Sequence, residues 1–417
     1  MQELRVNGKR LWESIMETAK FGATSRGGVS RLSLSDEDRR VRDWFAEACR
    51  GARCEVTVDD MGNIFARRSG RHDAAVPIAI GSHLDTQPAG GKFDGIAGVL
   101  SGLEVIRTLN DVDYCTEAPL EVINWTNEEG SRFAPPMLGS GVFAGVINRD
   151  FAYSREDRQG KKFGEELERI GYRGSARCGE HRLGTYFELH IEQGPMLEME
   201  GKTIGVVTEA QGQRWYEVTL TGQAGHAGST PMHLRKDALL GCARIVEGVN
   251  RIGLDHAPLA VSTVGLVEVR PNSPNVIPGS VFFTVDLRHP EDDMMAKMDA
   301  EFREMVSRMA GESGLGVELS EIYVRPSAEF DRACVEQVRE AAERLNYKYR
   351  EMVSGPGHDA LYVARVAPAA LVFIPCEGGI SHDEAENARP EDVEAGANVL
   401  LHVVLARDAT TFEGKYV

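Results

Sequence analysis

The chain has 417 residues, more than one average domain, with 42% hydrophobic and 27% charged residues, the balance of a globular protein with a large core. A formal net charge of −17 repels phosphate backbones and anionic lipid, which argues against nucleic acid and membrane partners; a small anionic substrate stays open, because local arginines and bound cations override a global field. Apolar runs such as 369–374 are too short to span a bilayer, the N-terminus has no apolar signal core, and seven scattered cysteines make no CxxC pair, so the chain reads as cytoplasmic with reduced thiols.

In chain order, residues 35–51 read as a helix: Ser35 caps it, acids fill its first turn, and Val41, Trp44, Phe45 and Ala48 share a face. Strands are expected at 54–58 and 64–67, joined by a turn at Met61-Gly62-Asn63, and again at 77–81, 120–125 and 186–191. A helix whose Ile96, Val99, Leu100, Leu103 and Ile106 form one stripe follows the 77–81 strand. This alternation argues for α/β layers around a mixed sheet. From 216 to 324 the order changes to strand, helix, strand, strand, helix, strand, which is the ferredoxin-like βαββαβ arrangement. Afterwards come a helix at 332–345, a helical segment near Leu361, a strand at 371–375 and a helix at 390–406. One discontinuous domain (1–213 and 328–417) interrupted by an insertion (214–327) is therefore expected.

Four strand ends carry metal-binding residue types. His83 ends the apolar stretch from Ile78, with Asp85 and Asp94 close behind. Imidazole suits a borderline divalent cation, a carboxylate such as Asp94 can bridge two, and Asp85 is placed to orient the His83 ring. Glu128 and Glu129 follow another apolar strand, where one acid can ligate while its neighbour takes a proton from water. His190 lies in a third strand and His382 follows a fourth. Singly, each is an ordinary loop acid or core histidine. Jointly, they suffice for two ions with room for water. The insertion adds His226 between glycines, Asn275 in a loop and Arg288 at a strand end, residue types that stabilise an oxyanion or clamp a carboxylate. In isolation His226 reads equally as a turn histidine and Arg288 as a surface ion pair. Gly357 belongs to a tight loop that either presents amides or caps a helix.

Taken in order, Gly81-Ser82-His83-Leu84-Asp85-Thr86, Gly91-Lys92-Phe93-Asp94-Gly95, Asn127-Glu128-Glu129-Gly130, Glu188-Leu189-His190-Ile191-Glu192-Gln193, Gly225-His226-Ala227-Gly228, Asp286-Leu287-Arg288, Gly357-His358-Asp359 and Ser381-His382 resemble the amidase, hydantoinase and carbamoylase branch of the M20 metallopeptidase clan. The resemblance covers nearly the whole chain. It implies a discontinuous mixed-sheet α/β metallohydrolase domain with an inserted ferredoxin-like lid and dimerisation domain. It also implies two divalent ions (Zn²⁺, Mn²⁺, Co²⁺ or Ni²⁺) held by His83, Asp94, Glu129, His190 and His382, with Asp94 bridging, Glu128 as general base and Asp85 in support. Gln193, His226, Asn275, Arg288 and the Gly357 loop are implied to touch substrate, and the lid to join a homodimer. The implied reaction is hydrolysis of the ureido C–N bond of a small anionic substrate, an N-carbamoyl-L-amino acid or N-carbamoyl-β-alanine, to amino acid, carbon dioxide and ammonia. Residues 125–127 and 136–145 look more like carbamoylases than like allantoate amidohydrolases, the nearest alternative. A peptidase or aminoacylase of the clan stands further off, and a two-domain binding module without chemistry further still.

Overall fold

The computed structural model describes residues 4–413, which form two compact units: one reaches Thr208 and resumes at Phe330, and the other is Glu209–Glu329. In chain order the strands are β1 (Glu55–Val58), β2 (Ile64–Arg68), β3 (Ile78–His83), β4 (Leu120–Trp125), β5 (Thr185–Ile191), β6 (Ile204–Ala210), β7 (Gly212–Thr221) and β8 (Gly225–His226). They continue as β9 (Val261–Arg270), β10 (Val276–Ile277), β11 (Ser280–His289), β12 (Gly316–Arg325), β13 (Ala328–Glu329), β14 (Tyr349–Ser354) and β15 (Ala369–Ile374).

A large mixed sheet runs in the order β1-β2-β4-β3-β5-β15-β6-β13, with β14 also on β6. Its centre, β4-β3-β5-β15, is parallel; β2 and β6 flank it antiparallel. Every residue of these four central strands is buried, the pattern of parallel strands covered on both faces. The helices Gly8–Thr18, Ile96–Asp111, Arg332–Arg344 and Pro390–Glu413 pack with one another beside it. The helix Asp36–Gly51 starts as its sequence dictates: Ser35 Oγ accepts the Asp38 amide at 3.1 Å, and three acids occupy the first turn. From that helix Arg42, fully buried against Asp38, donates to Gly62 O and Thr126 Oγ1. It thereby pins the turn between β1 and β2 to the loop leaving β4.

The second unit is an antiparallel sheet in the order β12-β7-β11-β9, with the helices Ala238–Asp255 and Asp292–Glu312 packed against it. Strand β11 alternates buried and half-buried residues along its whole length, so one face supplies the core. Tyr216, Val218, Leu220, Phe283 and Phe302 lie in that core. This unit begins and ends a few residues outside the 214–327 span expected from sequence. The short strands β8 and β10, the helix Gly8–Thr18 and strands β6, β13 and β14 are additions to the elements anticipated. Among the described residues no helix is long and apolar enough to cross a membrane.

Candidate metal centre

Because the central strands are parallel, their carboxyl ends share one edge of the sheet, and each delivers part of one side-chain cluster there. His83 is the last residue of β3, Glu128 and Glu129 follow β4, His190 lies near the end of β5, and His382 follows β15. Asp94 arrives on the loop between β3 and the helix Ile96–Asp111.

Asp94 is the hub. Its Oδ1 lies 3.3 Å from His83 Nε2 and 3.0 Å from His190 Nε2, while Oδ2 lies 3.4 Å from His382 Nε2. Glu129 Oε2 is 3.6 Å from the same His382 nitrogen. Donor atoms of His83, Asp94 and His190 lie within 4.8 Å of one another, and so do those of Asp94, Glu129 and His382. A single carboxylate is thus common to both groups. The Nδ1 atoms of His83 and His190 sit 2.9 Å from the carbonyls of Asp85 and Ile191. A carbonyl only accepts, so each ring carries its proton on Nδ1 and turns Nε2 toward Asp94. The Gly95 amide also points at His190 Nε2, from 3.1 Å.

The turns that aim these groups use unusual backbone. Asn127 has φ +61°, a conformation asparagine tolerates, and its amide donates to Phe133 O at 2.8 Å. That turn sends Glu128 and Glu129 in different directions. Glu128 Oε2 lies 3.5 Å from His83 Nε2, whereas Glu129 Oε2 accepts from Gln87 Nε2 at 2.6 Å. Glu129 Oε1 is buried with no hydrogen-bond partner. Asp85 holds both glutamates from behind: its carboxylate lies 3.3 Å from each of their amide nitrogens. It was expected to orient the His83 ring; its main-chain carbonyl is the group in hydrogen-bond reach of Nδ1, and its carboxylate oxygen is 3.9 Å from that nitrogen.

The charges in the cluster reshape one another. Burial lowers the His83 pKa, but Glu128 and Asp94 outweigh it and lift it well above the ordinary range. Burial likewise opposes protonated His190, and Asp94 again prevails. The hydrogen bond to Asp94 overcomes burial at half-exposed His382 and raises it to about 9. Asp94 is raised by burial yet held well below the usual carboxylate range by the three imidazoles. Burial, with neighbouring Asp94, pushes Glu129 up to about 7, and burial with Asp359, Glu129 and Asp94 drives Glu128 well above its usual value. Imidazole nitrogens and carboxylate oxygens that trade protons so strongly are the donor set of a borderline divalent cation, which binds by displacing those protons. The unpartnered Glu129 Oε1 adds an oxygen with nothing else to bind. The residues of each group have the make-up to hold a metal ion.

Gln193, expected to touch substrate, has φ +57° and donates its amide to Asp94 Oδ2 at 2.9 Å. Gly357 is half-buried in the turn before the helix Asp359–Val363, whose Ala360 amide donates to Glu188 Oε2 at 2.8 Å. In the second unit, pairing of β8 with β10 puts Val276 opposite His226, so His226 and Asn275 are neighbours. His226 is exposed and its Nδ1 accepts the Gly228 amide at 3.0 Å, while the Asn275 carbonyl accepts the Ala227 amide at 3.0 Å. Arg288 lies opposite Gln213 and forks onto Asp286, with Nε 3.0 Å and Nη2 2.7 Å from Oδ2. A carboxylate already occupies part of that fork. A third acidic group, Asp59, Asp60 and Cys178, is a saturated turn: its carboxylates take amides of Met61, Asn63 and Cys178, and Arg149 pairs with Asp60.

Several participants were given no role of their own by the sequence. Glu188 accepts from Ser82 Oγ at 2.8 Å and from Tyr186 Oη at 3.2 Å, and Tyr186 accepts from Trp125 Nε1 at 3.0 Å. Gln87 and Glu386 also reach the centre. Their partners are distant in the chain, so no spacing announces them.

A mixed-sheet α/β unit that gathers imidazoles and carboxylates at the carboxyl edge of its parallel strands has the make-up of the metallohydrolase class. The chain belongs to Peptidase family M20/M25/M40, whose family model matches residues 79–406. It is 50% identical over 405 residues to a Rhizobium meliloti protein named N-carbamoyl-L-amino-acid amidohydrolase, an alignment covering 96% of each chain. It is 33% identical to an allantoate amidohydrolase of Bacillus subtilis (strain 168), covering 93% of this chain and 94% of that one. Among solved structures, a hydantoinase/carbamoylase family amidase from Burkholderia multivorans superposes with a TM-score of 0.93 at 60% identity, over 97% of this chain and 98% of that one.

Proposed function

We propose that the chain is an amidohydrolase that binds two divalent ions and cleaves the ureido C–N bond of an N-carbamoyl-L-amino acid or N-carbamoyl-β-alanine. The observation that carries this reading is the sharing of Asp94 between two groups of metal-binding side chains. His83, Asp94 and His190 would hold one ion, and Asp94, Glu129 and His382 the other. Zn²⁺, Mn²⁺, Co²⁺ and Ni²⁺ all suit such nitrogen and oxygen donors. When bound, ions of this kind lower the pKa of a coordinated water from nearly 16 towards about 7 and polarise a carbonyl.

Glu128, left outside both groups, takes the proton from the attacking water. It then returns that proton to the leaving nitrogen, and the residual carbamate loses carbon dioxide. Burial and its acidic neighbours make Glu128 a stronger base than an exposed glutamate, as both transfers require. His226 stabilises the tetrahedral oxyanion, a donor contribution of roughly 3 to 4 kcal/mol in comparable sites. Arg288, Asn275, Gln193 and the Gly357 loop hold the substrate, with the Arg288 fork turned on its carboxylate. The second unit serves as a ferredoxin-like lid and as a homodimer contact. Supporting the dimer, β9 is an unpaired sheet edge with Leu266 and Val267 exposed, and Leu240 and Leu254 are exposed on the helix Ala238–Asp255.

The higher identity to the Rhizobium carbamoylase than to the Bacillus allantoate enzyme favours the carbamoyl amino acid. Ammonia release from N-carbamoyl-L-amino acids, N-carbamoyl-β-alanine, allantoate and dipeptides, each with several added metals, tests the choice. Turnover of carbamoyl substrates above the others is expected. Preference for allantoate or dipeptides would contradict it.

A further inference from the structure

Glu386 lies only four residues beyond His382, yet its carboxylate is built into the Asp94 loop. Its Oε1 accepts the amides of Phe93 and Asp94, at 3.2 and 3.1 Å. Its Oε2 accepts the Ser381 hydroxyl at 2.9 Å, one residue before His382. Ser381 Oγ is also 3.4 Å from Asp94 Oδ2. Both oxygens are therefore used, in a side chain only 4% exposed. The chain makes room for it: a Cβ added at Gly91 would collide with the Glu386 carboxylate.

We propose that Glu386 is a positioning residue that locks the loop carrying Asp94 to the loop carrying His382, so that it sets the affinity of both ions together. This rests on the two-ion reading above. Asp94 is common to both ligand groups, so displacing its loop loosens each group, whereas losing His382 alone would loosen only one. His382 needs the support most. It is half-exposed, sits at φ +57° and follows the positive-φ pair Gly378 and Gly379, so little packing holds it. Reach matters here more than charge. Glutamine keeps an oxygen for the two amides and offers N–H to the Ser381 oxygen, while aspartate is one methylene too short to span both loops.

The test is titration of chelator-treated protein with Zn²⁺ or Mn²⁺ against a chromophoric chelator, reading both dissociation constants without any substrate. Supporting groups behind metal ligands typically change affinity by about 10- to 100-fold. We expect that loss at both ions for Glu386→Ala and Glu386→Asp, with Glu386→Gln close to wild type. Should Glu386→Ala fail to fold, Gly91→Ala displaces the same carboxylate from a residue that binds no ion, and the same paired loss is expected. Wild-type affinity for both ions in Glu386→Asp and Gly91→Ala overturns the proposal, as does a loss at one ion with the other unchanged. A clamp that served only the fold would lower the melting temperature and leave both constants alone, which also counts against it. If the wild-type chain binds no pair of ions, the functional reading fails and takes the clamp with it. If it binds the pair but hydrolyses no carbamoyl substrate, the clamp stands and the activity does not.

Discussion

Glu128 and Glu129 are adjacent in sequence and of one chemical type, yet their surroundings divide them. Glu129 faces His382 and Gln87, while Glu128 faces His83 and lies outside both ligand groups. Glu128→Gln is therefore expected to keep both ions and to lower kcat by about 10²- to 10⁴-fold, the usual weight of a general base. Metal content and turnover of the same preparation check this, and wild-type turnover in the variant would remove Glu128 from the role. The cluster's protons give a second test. Asp94 raises His382 to about 9, and carboxylate neighbours also raise His83 and His190, so the imidazoles hold their second protons more tightly than a free histidine when no cation competes. A cation must displace them, so ion affinity should fall as pH drops below about 9, by about tenfold per pH unit for each proton displaced. Dissociation constants at pH 6, 7 and 8 read the slope directly; a flat profile would contradict the donor set.

At the scale of elements, the strand ends do the placing. Their apolar runs and the acids and histidines that follow are visible in the sequence, and the structure brings His83, Asp94, Glu129, His190 and His382 together at one edge. Parallel strands buried on both faces leave long apolar stretches, which is why β3, β4, β5 and β15 were legible within a few residues. The helix Gly8–Thr18 and the strands β6 and β14 were not. Strand β14 (Tyr349–Ser354) mixes charged and apolar residues without clean alternation, and β13 is only two residues long. Glu386 and Gln87 were hidden for another reason: each acts through a fold-level contact, the former with Asp94 across 292 positions. Gly95 shows how tightly element and ligand are joined. It stands at φ +68° before the helix Ile96–Asp111, and an added Cβ would run into the His83 imidazole. Gly95→Ala should cost roughly 1–3 kcal/mol of stability from backbone strain and should also displace His83. Thermal denaturation and ion titration together check it; unchanged ion binding in the folded variant would mean that His83 tolerates the crowding.

Across the whole molecule, Glu209–Glu329 form a compact unit of their own, with β9 and β12 as sheet edges and the helices Ala238–Asp255 and Asp292–Glu312 against the sheet. The sequence left Arg288 evenly between a carboxylate clamp and an ion pair, and the structure shows it forked onto Asp286. If Arg288 holds the substrate carboxylate, Arg288→Lys loses the planar fork and should raise KM by roughly tenfold or more with a smaller change in kcat. Steady-state kinetics separate the two, and an unchanged KM would assign Arg288 to Asp286 alone. The most direct test of the account as a whole is reconstitution: chelator-treated protein is titrated with Zn²⁺, Mn²⁺, Co²⁺ or Ni²⁺ while ammonia release from an N-carbamoyl-L-amino acid is followed. The predicted result is no turnover without added ion and a plateau at two ions per chain. Full turnover in the ion-free protein, or a plateau at a single ion, would contradict a centre built around a shared Asp94.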